Sequence, residues 1–153
     1  MATGIQTATP RVRTVRLVES ATAANAAPSG APSATPAATV GFKLDTSTLL
    51  TTSCTVRIYE TAGSGTMAMT YARAWGYSAT ATKWFPMGIG ADATKGYLNG
   101  GAAFGETGAN ELRHAEALGF INHWDGIYIE LGVISGTNTA LSVELDFPIN
   151  ENT

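Results

Sequence analysis

The chain reads as all-β, an antiparallel β-sandwich or jelly-roll-like domain behind an extended N-terminal arm, and three observations predict it. Several stretches alternate apolar and polar residues with period two, the repeat of a strand with one face on a core. They are short and separated by Gly- and Pro-bearing turns, as in sandwiches and jelly rolls. Residues 20–39 carry no charge, no aromatic and no branched aliphatic side chain, and strand-like sequence resumes beyond them. That stretch divides a module of residues 40–153 from an arm of residues 1–39.

The arm opens with a basic strip. Residues 1–19 hold Arg11, Arg13 and Arg16 against one Glu, whereas residues 40–153 hold six basic and eleven acidic side chains. Residues 11–18 combine β-branched side chains with alternating Arg, the pattern of a short strand at a sheet edge or donated to another sheet. Arg11, Arg13 and Arg16 are candidate partner-binding residues, able to dock on the acidic body of a second copy; a solvated tail is the alternative. Pro28, Pro32 and Pro36 recur every four residues and favour an extended, polyproline-like backbone over helix. At about 3.1 Å per residue this linker reaches on the order of 60 Å, enough to cross to another subunit. Deleting residues 1–39 is therefore expected to leave a folded body.

From residue 40 the pattern is β. Cys54, Val56 and Ile58 alternate with Thr55, Arg57 and Tyr59, and residues 61–65 (Thr-Ala-Gly-Ser-Gly) offer a hairpin loop. The returning strand, residues 66–77, places Met67, Met69, Tyr71, Arg73, Trp75 and Tyr77 on one face and small residues on the other. Trp84, Phe85 and Pro86 form a further short segment. Residues 110–118 read either as a helix with an Asn cap and a Gly stop or as a strand. A second pair closes the chain: Ile127, Ile129, Leu131 and Val133 alternate with polar partners, then Leu141, Val143, Leu145 and Phe147 do the same. Burying each of these aliphatics contributes roughly 1.5–3 kcal/mol, the main stabilising term available.

Chemistry is sought mostly in vain. A single Cys54 at the head of an apolar row reads as a buried structural thiol and cannot form an internal disulfide. Residues 88–96 look like a phosphate loop but miss the Walker spacing. His114 and His123, with Glu116 and Asp125 nearby, match no metal-ligand set. No nucleophile elbow is present, so neither a catalytic residue nor a metal or cofactor is assigned, and the chain is expected not to be an enzyme. The net charge of −3 speaks against nucleic acid as the main partner. No run approaches the roughly 18 apolar residues that cross a bilayer, and no secretory leader or myristoylation signal is read, so a protein made in the cytoplasm without a membrane partner is expected.

Tyr71, Arg73, Trp75, Tyr77 and Trp84 are the candidate interface or glycan platform. Aromatics at strand spacing form a core or subunit interface, or else stack on sugars. Arg73 in that row needs a partner, since an unpaired buried guanidinium is costly; an inter-subunit carboxylate is one candidate.

The body then acquires a resemblance. The runs Thr82-Lys-Trp-Phe-Pro-Met-Gly-Ile-Gly90, the Gly-rich stretch through Gly108, Leu112-Arg-His-Ala-Glu116 and Asp125-Gly-Ile-Tyr-Ile-Glu130 look like small β-sandwich virion proteins of tailed bacteriophages. The likeness is one of style and segment order over roughly residues 42–147. It implies a non-enzymatic decoration or cement protein that binds the major capsid protein on the head surface as an oligomer, often a trimer. Its arm would lash neighbouring subunits. A tail or connector component and a glycan-binding adhesion module on the virion are the alternatives.

Overall fold

The computed structural model describes residues 11–32, 42–45, 53–60, 66–87, 96–105, 113–137 and 140–149. They form an antiparallel β-sandwich. One four-stranded sheet, here called A, has the order β1 (Arg11–Ala21), β11 (Leu141–Ile149), β3 (Ser53–Glu60), β8 (Arg113–Gly119). The facing sheet, C, has the order β2 (Phe42–Asp45), β9 (Gly126–Leu131), β5 (Ala72–Ser78), β6 (Lys83–Pro86). A small third sheet places β4 (Met67–Met69) between β10 (Ile134–Gly136) and β7 (Phe104–Gly105).

The core lies between A and C. Sheet A contributes Leu17, Cys54, Val56, Ile58, Leu118, Leu141, Val143, Leu145 and Phe147; sheet C contributes Ala72, Ala74, Ile127, Ile129 and Leu131. The alternation read from the sequence is thus real, but the pairing inferred from it is not. β3 pairs with β11 and β8, and no residue of β4 or β5 pairs with it. Likewise β9 and β11, expected as a closing hairpin, lie in opposite sheets. Strands that pack face to face across a sandwich show the same alternation as strands that pair edge to edge, because both must point apolar side chains at one core.

The strand expected over residues 66–77 is two strands. At Thr70 and Tyr71 the pleat is interrupted: Met67 and Met69 are buried, and beyond the break Ala72 and Ala74 are buried instead. The opposite chain breaks at the matching place, so that Gly132 N–H donates to Tyr71 O at 2.8 Å and Thr70 N–H to Val133 O at 3.0 Å. Ladder bonds therefore continue from sheet C into the small sheet while inside and outside exchange. In consequence the small side chains of β5 face the core, and Tyr71, Arg73 and Trp75 face outward.

Two other expectations are resolved. Residues 113–119 form a strand, with Leu118 buried, so the strand reading of residues 110–118 holds over its described part. β1 is an edge strand of this chain's own body: it runs antiparallel to β11 from Arg11 opposite Ile149 to Ala21 opposite Leu141, with two irregularities near Leu17. The hairpin loop of residues 61–65 and the phosphate-like residues 88–95 lie outside the described residues.

Candidate functional site

Two outward faces carry the polar and aromatic chemistry. On sheet A the register sets Arg16, Glu144 and Arg57 side by side on β1, β11 and β3. Arg16 Nε donates to Glu144 Oε1 at 2.9 Å, Arg57 Nη2 lies 2.8 Å from Glu144 Oε2, and Tyr59 Oη donates to Glu144 Oε1 at 2.8 Å. Next along the strands Asp146 accepts from Thr14 Oγ1 at 2.6 Å and from Arg57 Nη2 at 3.0 Å. Glu144 is only 4% exposed. A carboxylate can be buried this deeply because each oxygen has a charged or hydroxyl donor. Burial and the bond to Glu144 raise the Tyr59 phenol above its ordinary range.

Arg16 is therefore engaged within its own chain. That differs from the docking role expected of it, and the reason is register: once β1 pairs with β11, Arg16 stands opposite Glu144. The side chains of Arg11 and Arg13 lie outside the described ones.

The outer face of sheet C carries the aromatic set. Glu130, 7% exposed, accepts from Tyr71 Oη at 2.9 Å and from Trp75 Nε1 at 2.7 Å. Arg73 stands opposite Glu130 in the ladder, and its guanidinium carbon lies 4.1 Å from the Trp75 ring centroid and 5.1 Å from that of Tyr97. Tyr97 meets Tyr71 edge to face at 5.5 Å. The partner demanded by Arg73 is thus supplied inside the chain by two rings and a neighbouring carboxylate, without a second subunit. Burial first, then the Glu130 bond and charge, push the Tyr71 phenol up.

The other half of this face is covered. Tyr77 and Trp84 meet at 5.1 Å with their planes tilted by 54°, and Trp84 meets Tyr128 edge to face at 5.9 Å. Over them runs a strap, residues 22–32. Asn25 accepts from Leu131 N–H through Oδ1 at 2.6 Å and donates through Nδ2 to Ile129 O at 3.1 Å. Tyr128 Oη donates to Ala26 O at 2.6 Å and Trp84 Nε1 to Gly30 O at 2.9 Å. Tyr128 is fully buried, and burial with the Glu130 charge pushes its phenol up to about 12.

The five platform candidates are therefore brought to one face but divided. Tyr71, Arg73 and Trp75 are half-buried and reachable; Tyr77 is buried, and Trp84 is bonded to the strap. None of the first three belongs to the core, contrary to the core reading of this row. Asn25, Tyr97, Tyr128 and Glu130 complete the face and went unnoticed in the sequence. Only Glu130 carried a signal, as a charged residue at the centre of a strand otherwise rich in large apolar side chains.

The histidines separate into different surroundings. His114 Nε2 lies 3.0 Å from Glu116 Oε2 and meets the Phe104 ring, while His123 contacts Phe120. Among the described residues no three His, Cys, Asp or Glu side chains converge on a common point. Cys54 is buried, and desolvation, then the Asp146 charge, push its thiol up to about 12, which suppresses thiolate reactivity. No helix among the described residues is long and apolar enough to cross a membrane.

What the sheet C face can do chemically is recognise. Its ring donors are fixed in direction by Glu130 and by strap carbonyls, and its cation lies over the rings of Trp75 and Tyr97. No protein-family model matches this chain, and neither a curated protein nor a solved structure shows significant similarity to it.

Proposed function

We propose that this chain is a structural protein of a virion, a capsid decoration or cement protein that binds the major capsid protein and stabilises the head as an oligomer, a trimer being the expected form. The supporting observation is strand order. Counting β4 with β5 and β9 with β10 as interrupted single strands, and leaving aside the two-residue β7, eight strands remain among the described residues. In that count sheet A runs first, eighth, third, sixth, and sheet C runs second, seventh, fourth, fifth. We read this as the double Greek-key order of a jelly roll, an architecture used by viral capsid proteins and by lectins. A fold alone does not give a function. A charge-poor surface, with charged residues at 14% of the sequence, adds support, because such a surface suits permanent contact with neighbours.

The test is stoichiometry on the particle. Cryo-electron microscopy of virions should show this chain in capsid-wide copy number at fixed lattice positions, and particles stripped of it should lose thermal stability. A ring of six or twelve copies at one vertex would instead identify a tail or connector component.

A second reading, a glycan-binding adhesion module, is favoured by the reachable half of the sheet C face. Trp75 and Tyr71 are half-buried with their polar atoms already directed, the arrangement sugars stack on. Glycan-array binding that disappears in Trp75→Ala, with the fold intact, would select this reading over cement.

A further inference from the structure

The strap lies on sheet C as a peptide lies on a recognition domain. Both ring donors are addressed to main-chain carbonyls, Tyr128 to Ala26 and Trp84 to Gly30. Those carbonyls occupy matching places in a short repeat: residues 26–29 read Ala-Ala-Pro-Ser, residues 30–33 Gly-Ala-Pro-Ser, and residues 34–36 Ala-Thr-Pro. Each accepting carbonyl stands two residues ahead of a proline. Pro28 and Pro32 are half-buried, whereas the three residues between them are exposed. Aromatic side chains that pack prolines and donate to peptide carbonyls are the general means by which proteins read proline-containing segments.

The register is fixed at two points. Asn25 clamps Leu131, which lies beyond the end of β2, and also bonds the carbonyl of Ile129, which stands opposite Phe42 at that end. Gly30 has φ of 68°, a left-handed conformation that costs a residue with a Cβ about 1–2 kcal/mol. The repeat seated over Trp84 is the one that begins with glycine.

We propose that the outer face of sheet C is a recognition site for this uncharged proline repeat, and that it takes the strap of a second copy of this chain in exchange for its own. The seated strap demonstrates the fit. The two ring donors address main-chain atoms and Asn25 anchors the strap to the sheet's own backbone, so an identical segment from another copy satisfies them equally. Residues 20–39 bear no charge, and no repulsion opposes the approach of a second strap. Asn25 stands four residues beyond Ala21, the end of β1, a reach of about 12 Å, so a second copy places its strap here only with the end of its own β1 packed beside this sheet. Its own strap competes at an effective concentration on the order of millimolar, so exchange belongs to conditions that crowd copies together. The inference rests on this groove and not on the virion reading.

The experiment uses two full-length variants. The acceptor, 15N-labelled Asn25→Ala/Gly30→Ala, has an intact groove and a poorly seated strap; the donor, unlabelled Trp84→Phe/Tyr128→Phe, has an intact strap and no ring donors for it. Circular dichroism establishes that both are folded. On adding donor, the Trp84 indole resonance of the acceptor should return toward its wild-type position, and light scattering of the mixture should rise above that of either variant alone. A synthetic peptide of residues 22–33 should produce the same shift, and one with Pro28→Ala and Pro32→Ala should bind at least about 5-fold more weakly. An indole resonance that stays in place with donor present overturns the exchange. Equal shifts from the two peptides overturn the proline-repeat site.

Discussion

Glu144 concentrates the polar energetics of sheet A in one side chain. Its partners Arg16 and Arg57 are 48% and 42% exposed, so water screens part of their attraction, while Glu144 itself has exchanged water for three donors. Removing it should cost less than the roughly 3–5 kcal/mol of a fully buried pair, and about 1–3 kcal/mol is expected for Glu144→Ala in urea unfolding. Arg16→Ala, which leaves Arg57 and Tyr59 in place, should cost under about 1 kcal/mol. A second residue-scale prediction concerns high pH. Cys54 and Tyr128 are both raised to about 12 in the folded chain, against ordinary values of 9.0 and 10.0. Between those values and 12 the unfolded chain ionises and the folded one does not, so stability is complete below pH 9 and falls as pH rises. The slope is about 1.4 kcal/mol per pH unit for each group ionised only on unfolding. Cys54→Ala should flatten the loss between about pH 9 and 10, where the thiol acts alone; an unchanged slope in denaturant titrations at those pH values would overturn the assignment. The burial of Cys54 was legible because period-two alternation fixes which side chains turn inward. The ladder around Glu144 was not, because it depends on registers joining residues 85 to 132 positions apart.

At the scale of elements, β5 shows how a correct strand can be given the wrong sides. Large and small residues alternate through residues 67–77 without interruption, yet the pleat breaks at Thr70 and Tyr71, and the core is lined by methionines before the break and alanines after it. Size alternation marks a strand, but which face is inside depends on what the opposite sheet needs. Here the inner side of β5 must be small because Trp124 packs against it. A Cβ on Gly76 would lie 2.2 Å from Trp124 Cδ2. Gly76→Ala is therefore expected to destabilise by at least about 1–3 kcal/mol through overpacking, and to change the near-ultraviolet spectrum as the indole is displaced. An outward-facing Gly76 would tolerate alanine, so this substitution tests the side assignment directly. Strand existence was readable from local pattern; strand partners were not, since β3 with β4, and β9 with β11 across the short β10, lie close in sequence and in different sheets.

For the whole molecule the decisive question is where the body begins. Composition draws a line after residue 39, because the uncharged stretch differs so sharply from the alternating, strand-forming residues beyond it. Structure places β1, on the near side of that stretch, at the edge of sheet A with Leu17 in the core at 2% exposure. Local pattern allowed an edge strand or a donated one; its partner, β11, lies at the other end of the chain and nothing in the neighbouring residues announces it. Two outcomes separate a dispensable tether from a structural strand. If β1 belongs to the fold, Leu17→Ala should cost about 2–5 kcal/mol, the range for emptying a buried leucine site, whereas a tether would register almost nothing. A chain that starts at residue 40 should then fare worse, because it loses the Leu17 contacts and also leaves the backbone groups of β11 bare along one edge. Such an edge pairs with other chains. Aggregation of the truncated chain on refolding, together with a large loss in Leu17→Ala, is the expected result. A soluble, cooperatively unfolding truncation with Leu17→Ala near neutral would return β1 to the arm, and would leave the strap, not the strand, as the part of the N-terminal region that this sandwich holds.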